Sequence, residues 1–170
     1  MSKIEEILQS KIKPKEKIVQ LASALQKDKK LLSELIIFYE NASTSEKGTC
    51  IEAIEYITAK DPKFAKSCLD FVISQINEKE PRVKWESCRI IANISEEFPD
   101  KAESAIPKLI INTKDDGTVV RWSAAAALTK IAASNPKTQK KLIPLFSEIV
   151  KKEKNSGVKN IYLKALKKLQ

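Results

Sequence analysis

Apolar residues recur at spacings of three and four along nearly the whole chain, and no stretch alternates apolar with polar residues as a half-buried strand does. Leu32, Leu35 and Ile36 have this spacing, as do Leu69, Val72 and Ile73, then Ile106, Leu109 and Ile110, then Ile143 and Phe146. A second amphipathic stretch follows each of them. Pairs of helices are therefore predicted at roughly 28–41 with 45–60, 62–77 with 81–97, 100–113 with 117–134, and 137–152 with 156–169. Residues 3–12 and 15–27 predict one further hairpin. Only Gly48, Gly117 and Gly157 interrupt the pattern as glycines, so the chain reads as all-α.

The helical pairs are copies of one another. Val83-Lys84-Trp85 leads through Cys88 and Ile91 to Ile94, and 37 residues later Val120-Arg121-Trp122 leads through Ala125 and Leu128 to Ile131. Upstream, the same frame places Lys47 at the basic position and Ile54 and Ile57 at apolar ones. Downstream, at a spacing of 38, Val158-Lys159 leads to Leu163, Leu166 and Leu169. Pro62, Pro99 and Pro136 mark the same interval. In such an array each unit stacks only on its neighbours, and the whole offers a long surface to a partner. The expected organisation is a single domain over residues 1–170, with a capping hairpin at 1–27 and repeats at 28–60, 61–98, 99–135 and 136–170. The terminal hairpin holds the period poorly, as a unit covering the end of a stack does.

The prolines refine this picture. Pro14 and Pro81 open helices, where a missing amide proton costs nothing, and Pro62, Pro99 and Pro136 lie at first-helix starts. Pro107 and Pro144 instead fall in register inside the first helices of successive units, which predicts a bend or restart there. With this Ile-Pro helix, a short loop containing Asp115-Asp116, and a second helix that opens Val-Arg/Lys-Trp before Ala124-Ala125-Ala126-Ala127-Leu128, the chain resembles the HEAT-repeat family over about residues 28–169. The interval of 37 is shorter than the roughly 40–47 usual for such units, but the tetratricopeptide and ankyrin signatures are both absent. The resemblance implies a right-handed superhelix of helical hairpins, with second helices lining its concave side. It also implies an acidic loop residue meeting a basic residue at the second-helix start. The candidates are Glu78, Asp115 and Glu153 with Lys47, Lys84, Arg121 and Lys159, and Asn41 takes the acidic place in the first unit. Such charges are expected to satisfy helix ends and fix the stacking angle rather than to bind a ligand. The shared register of Trp85 and Trp122 likewise points to packing between units.

Candidate chemistry is mostly excluded. The chain has no histidine, which removes histidine-activated nucleophiles, histidine acid–base chemistry and histidine metal sites together. Its glycines are isolated and cannot build a phosphate-cradling loop. Cys50, Cys68 and Cys88 are odd in number and lie in helical patterns, so buried reduced thiols are expected rather than disulfides or metal ligands. Some HEAT-like glycosylases use a carboxylate beside aromatics on the concave face. Glu86 next to Trp85 imitates this, but Ser123 follows Trp122 and Arg89 stands one turn beyond Trp85, so the pattern is not met. No enzyme, cofactor or metal is expected. Met1-Ser2-Lys3-Ile4-Glu5-Glu6 lacks the layout of a secretory signal and no segment suits a bilayer span, so a cytoplasmic monomer is expected.

The net charge of +9 is unevenly spread. Residues 1–30 carry 8 basic and 4 acidic side chains, residues 31–136 carry 13 and 16, and residues 137–170 carry 10 and 2. Helical phase predicts an outward stripe on the second helices through Glu52, Ala53 and Tyr56; Glu86, Arg89, Ile90 and Asn93; Ser123, Ala126, Ala127 and Lys130; and Ile161, Lys164, Ala165 and Lys168. The stripe begins acidic, passes through small residues and ends basic. A protein segment lying in one polarity along the groove fits that gradient, with Glu52, Tyr56, Glu86, Arg89, Ile90, Asn93, Ala126, Lys130, Lys164 and Lys168 as its contacts. The competing partner is nucleic acid, held by its backbone on Lys130, Lys164, Lys168 and the lysine-rich last unit.

Overall fold

The computed structural model describes residues 1–170 and contains helices and turns only. The helices are α1 (Lys3–Gln9), α2 (Pro14–Lys27), α3 (Lys30–Glu40), α4 (Thr44–Thr58), α5 (Leu69–Ser74), α6 (Pro81–Ile94), α7 (Pro99–Ser104), α8 (Ile106–Asn112), α9 (Thr118–Ser134), α10 (Pro136–Lys152) and α11 (Ser156–Leu169), with a 3-10 segment at Pro62–Ser67. Their starts follow from local chemistry. Ser2 and Ser43 each accept from the backbone amide three residues on, while Glu5 and Glu46 accept from the cap amides, so α1 and α4 open with reciprocal capping boxes. Proline occupies the first turn of α2, α6, α7 and α10, where it replaces an amide that the helix would leave unbonded. The Asn155 side chain accepts from the Val158 amide at 3.0 Å and caps α11.

Packing sorts the elements into two layers. Helices α2, α4, α6, α9 and α11 touch one another in that order and form a continuous row. Each preceding element packs on its own second helix, giving the other layer from α1, α3, the 3-10 segment with α5, α7 with α8, and α10. Helix α2 stacks on α4 as α4 stacks on α6, so the N-terminal hairpin continues the row. One hydrophobic cluster runs the full length, from Ile4 and Leu21 through Ile51, Ile54, Ile90 and Ile91 to Leu128, Phe146 and Tyr162. Helix α9 carries Ala124, Ala125 and Ala127, all fully buried, where α6 and α11 flank it on both sides. Small side chains let three helices approach closely there.

Two details depart from the sequence reading. The first helix of the middle units is split, at Cys68 in one and at the repeat-equivalent Ala105 in the next. Proline is not the common cause, because Pro107 opens α8 whereas the equivalent position, Asp70, is no proline, and α10 runs unbroken through Pro144. What the two breaks share is small side chains turned fully into the core: Ala65 with Cys68, and Ala102 with Ala105. The outer layer is also joined by side-chain amides. Asn77 donates to the Lys108 carbonyl at 3.0 Å and to Asn112 Oδ1 at 2.9 Å, and buried Asn112 donates to the Ile76 carbonyl at 2.7 Å.

Candidate functional site

The loops between layers carry a charge ladder, and it is structural. Lys84 at the start of α6 meets Asp115 of the following unit at 2.6 Å. Arg121 at the start of α9 meets Glu153 of its following unit through Nε at 2.9 Å and Nη2 at 3.2 Å, and also donates to the carbonyls of Asp115 and Asp116. Burial acts to raise the Asp115 and Glu153 carboxyls, but it is outweighed. Lys84 and the Gly117 amide hold Asp115 below its ordinary value, and Arg121 with the Asn155 amide does the same for Glu153. These two rungs match the sequence expectation. The other candidates depart from it: Lys47 lies over the Tyr39 ring at 5.1 Å, and neither Glu78 nor Lys159 forms an ion pair. A cleft of ≈ 690 Å³ opens beside Asp115, Arg121 and Glu153, but these three charges are already engaged in the ladder.

The second-helix row leaves one face uncovered by the other layer, and its middle is closed by polar bonds. Arg82 pairs with Glu52, and Arg89 reaches Glu55 at 3.2 Å and Glu86 at 3.4 Å. Trp85 Nε1 donates to Glu86 Oε1 at 3.0 Å. Asn93 donates to Glu55 Oε1 at 3.3 Å and to Thr58 Oγ1 at 3.2 Å, which ties α6 to α4. Glu86 is only 3% exposed. Burial, with Glu52 and Glu55 nearby, pushes its carboxyl up to about 7 against the opposing pull of Arg89 and the Trp85 indole. Gly48 stands at the repeat position of Trp85 and Trp122. A Cβ there would lie 2.7 Å from Arg82 Cδ, so the glycine gives Arg82 its path to Glu52.

The far end of the same face is open. Ala92 of α6, Trp122, Ala126, Thr129, Lys130 and Ala133 of α9, and Ile161, Lys164, Ala165, Lys168 and Leu169 of α11 line a cleft of ≈ 370 Å³. Trp122 is 45% exposed, and its indole N–H has no hydrogen-bond partner in the protein. Its register mate Trp85 is half-buried and bonded. The difference traces to neighbours: Glu86 and Arg89 follow Trp85, whereas Ser123 and Ala126 follow Trp122. Lys130, Lys164 and Lys168 are exposed, and none of the ion pairs includes them.

The predicted stripe is therefore right at its edges and wrong along its centre. Tyr56, Arg89, Lys130, Lys164 and Lys168 are exposed, and Glu52, Asn93 and Ala126 are partly so. Ile90 is fully buried, as are the equivalent Ala53 and Ala127, and Glu86 and Ser123 are nearly so. The inner second helices are packed by a second helix on each side and by the outer layer, so the free strip is narrower than an isolated amphipathic helix would show. Trp122, read as packing, belongs to the strip. The signal was its i, i+4, i+8 relation to Ala126 and Lys130. Cys50, Cys68 and Cys88 are buried and unpaired, with burial pushing each thiol up to about 12. No cluster of acidic or sulfur ligands converges on a common point. No helix is long and apolar enough to cross a membrane.

No protein-family model matches the sequence, and no curated protein matches it significantly. Solved structures do match its shape. An engineered protein aligns with TM-score 0.76 at 20% identity, over 98% of this chain and 79% of its own. A computationally designed armadillo repeat protein for modular peptide recognition gives 0.74 at 20% identity, over 96% and 79%. A designed armadillo repeat protein in complex with the peptide (KR)4 gives 0.72 at 17%, over 98% and 86%. Together with the continuous row of stacked second helices, these similarities establish the chain as an all-helical repeat solenoid.

Proposed function

We propose that this chain is a non-catalytic HEAT-like scaffold that holds a segment of a partner protein in a concave groove along its second-helix row. One observation carries the reading: the uncovered face ends in an apolar cleft whose tryptophan and three lysines have no partners within the chain. Two solenoids of the same shape, one designed for modular peptide recognition and one complexed with a peptide, support it. Single first helices in α3 and α10 suit HEAT-type units, while the split ones of the middle units approach the armadillo form. Glu86, the one carboxylate set against an indole, is buried and bonded, which suits structure better than catalysis.

Selection from a random linear-peptide display library tests the reading. Enriched peptides should bind the parent and lose binding to Ala126→Glu while far-UV circular dichroism stays unchanged. Capture that survives this substitution removes the groove from the reading. Unpaired lysines on one strip also suit a phosphate backbone. In that case oligonucleotides titrated at two salt concentrations should bind with steep salt dependence and little sequence choice.

A further inference from the structure

We propose that the cleft between α9 and α11 takes an acidic peptide segment through one bulky apolar side chain, with Lys130, Lys164 and Lys168 holding the flanking carboxylates. The inference rests on the scaffold reading above and assigns its partner's chemistry. The lining includes Ala126 and Ala165, side chains that fill little space, with Trp122 and Ile161 as bulky apolar members. A cleft of ≈ 370 Å³ lies within the range of roughly 300–1,000 Å³ typical of ligand sites, at its small end. It therefore suits an anchor residue better than a whole ligand. Half-exposed Trp122, with its indole N–H unbonded, has the amphipathic character that anchors interfaces.

Charge selects the flanks. Lys164 and Lys168 stand one turn apart on α11 and Lys130 faces them from α9, so cations border the cleft on both sides without a carboxylate partner. Anionic side chains on a ligand would complete ion pairs that the fold leaves open. Arg82, Arg89 and Arg121 are all engaged with carboxylates and are unavailable to grip a phosphate backbone. The next stretch of the same face pairs Arg82 and Arg89 with Glu52, Glu55 and Glu86, so a long polyanion following the row would find no free cation there. A short acidic segment stops before them. Unlike the basic (KR)4 peptide held by one structural neighbour, the ligand inferred here is negative.

Anisotropy titrations of the full chain with fluorescein-labelled peptides test this, using four probes: an acidic peptide library with a central Trp, Phe or Leu, the same library with central Ala, a Lys/Arg counterpart of the first, and single-stranded DNA. The anchored acidic library should bind at least about tenfold tighter than either of the other peptide sets. Trp122→Ala should weaken it by about 30-fold, the scale of an interface hot spot. Lys164→Glu with Lys168→Glu should weaken it at least tenfold, roughly the sum of two reversed ion pairs. Both lysines are exposed, so the double variant keeps its fold even if Trp122→Ala loses some stability. Lys114→Glu, on the loop before α9 and outside the cleft, should change nothing. Tighter binding of the basic library that remains sensitive to Ala126→Glu overturns the acidic partner but keeps the scaffold. Capture of no peptide at all overturns both. DNA binding that ignores Trp122→Ala overturns both in favour of nucleic acid.

Discussion

The face formed by α4 and α6 and the face formed by α9 and α11 are the same surface of the same repeat, two units apart, yet one is closed and the other open. In the first, Glu52, Glu55, Glu86, Arg82 and Arg89 pair with one another, and Asn93 and Trp85 add hydrogen bonds to the same carboxylates. In the second, the positions equivalent to Glu86, Arg89 and Asn93 are Ser123, Ala126 and Lys130. The network's acceptor and its bridging arginine are gone, a small side chain lines the cleft, and a cation remains without a partner. The backbone of a repeat thus specifies a surface position, and three side chains decide whether that position is cement or contact.

The largest expected break in the comparison is Ile90→Asp set against Ala126→Glu. Both were outward positions in the helical-phase reading. Ile90 is fully buried, so an aspartate there strands a charge in the core and should cost more than about 4 kcal/mol, enough to unfold much of the chain. Ala126 borders the open cleft, so its glutamate should cost less than about 1 kcal/mol and act on binding alone. Urea denaturation of the two variants compares them directly, and equal losses would mean that the cleft is as closed as the core.

A medium effect sharpens the closed side. The Glu86 carboxyl is raised to about 7 in the folded chain, above its ordinary value of 4.5, so the folded state holds the proton more tightly. The stability from that proton is fully present below about 4.5 and is lost as pH rises through 7. Glu86→Gln keeps an oxygen for the Trp85 indole and removes the buried charge. It should stabilise the protein at pH 8 by on the order of 2 kcal/mol and do little at pH 4. Denaturation midpoints at both values test the sign, and a destabilised variant at pH 8 would show that the pairing with Arg89 outweighs burial.

The smallest effect is optical. With Trp85→Phe and Trp122→Phe as single-tryptophan variants, acrylamide should quench Trp122 fluorescence roughly twice as efficiently as Trp85, because the first is exposed and unbonded and the second is half-buried and bonded. Equal quenching would erase the contrast on which the open site rests.

Much of this was legible before any coordinates. The 3.6-residue period and the first-turn prolines placed the helices to within a few residues, while the serine and asparagine caps emerged only with the structure. The HEAT resemblance named Asp115, Glu153, Lys84 and Arg121 among the ladder candidates, and the structure supplied the pairs, Lys84 with Asp115 and Arg121 with Glu153. A break in the first helix was anticipated at Pro107 and at Pro144, but α10 runs through Pro144 and the break at Cys68 occurs without proline. Of the contact residues proposed from phase, Lys130, Lys164 and Lys168 lie on the cleft and Ile90 lies in the core.

The sequence by itself determined the helices, their period and the stacking order, because these depend on spacing along the chain and on which residues a helix end or an apolar stripe accepts. Only the tertiary structure decided which of two register-matched tryptophans is exposed, that a side chain at Gly48 would displace Arg82, and where the free strip of each second helix runs. Those outcomes depend on side chains of the neighbouring unit as well as nearby ones: Arg82 reaches back to Glu52 past Gly48, and Arg89, beside Trp85, is tied to Glu55, contacts across about 30 to 40 residues that no local periodicity encodes.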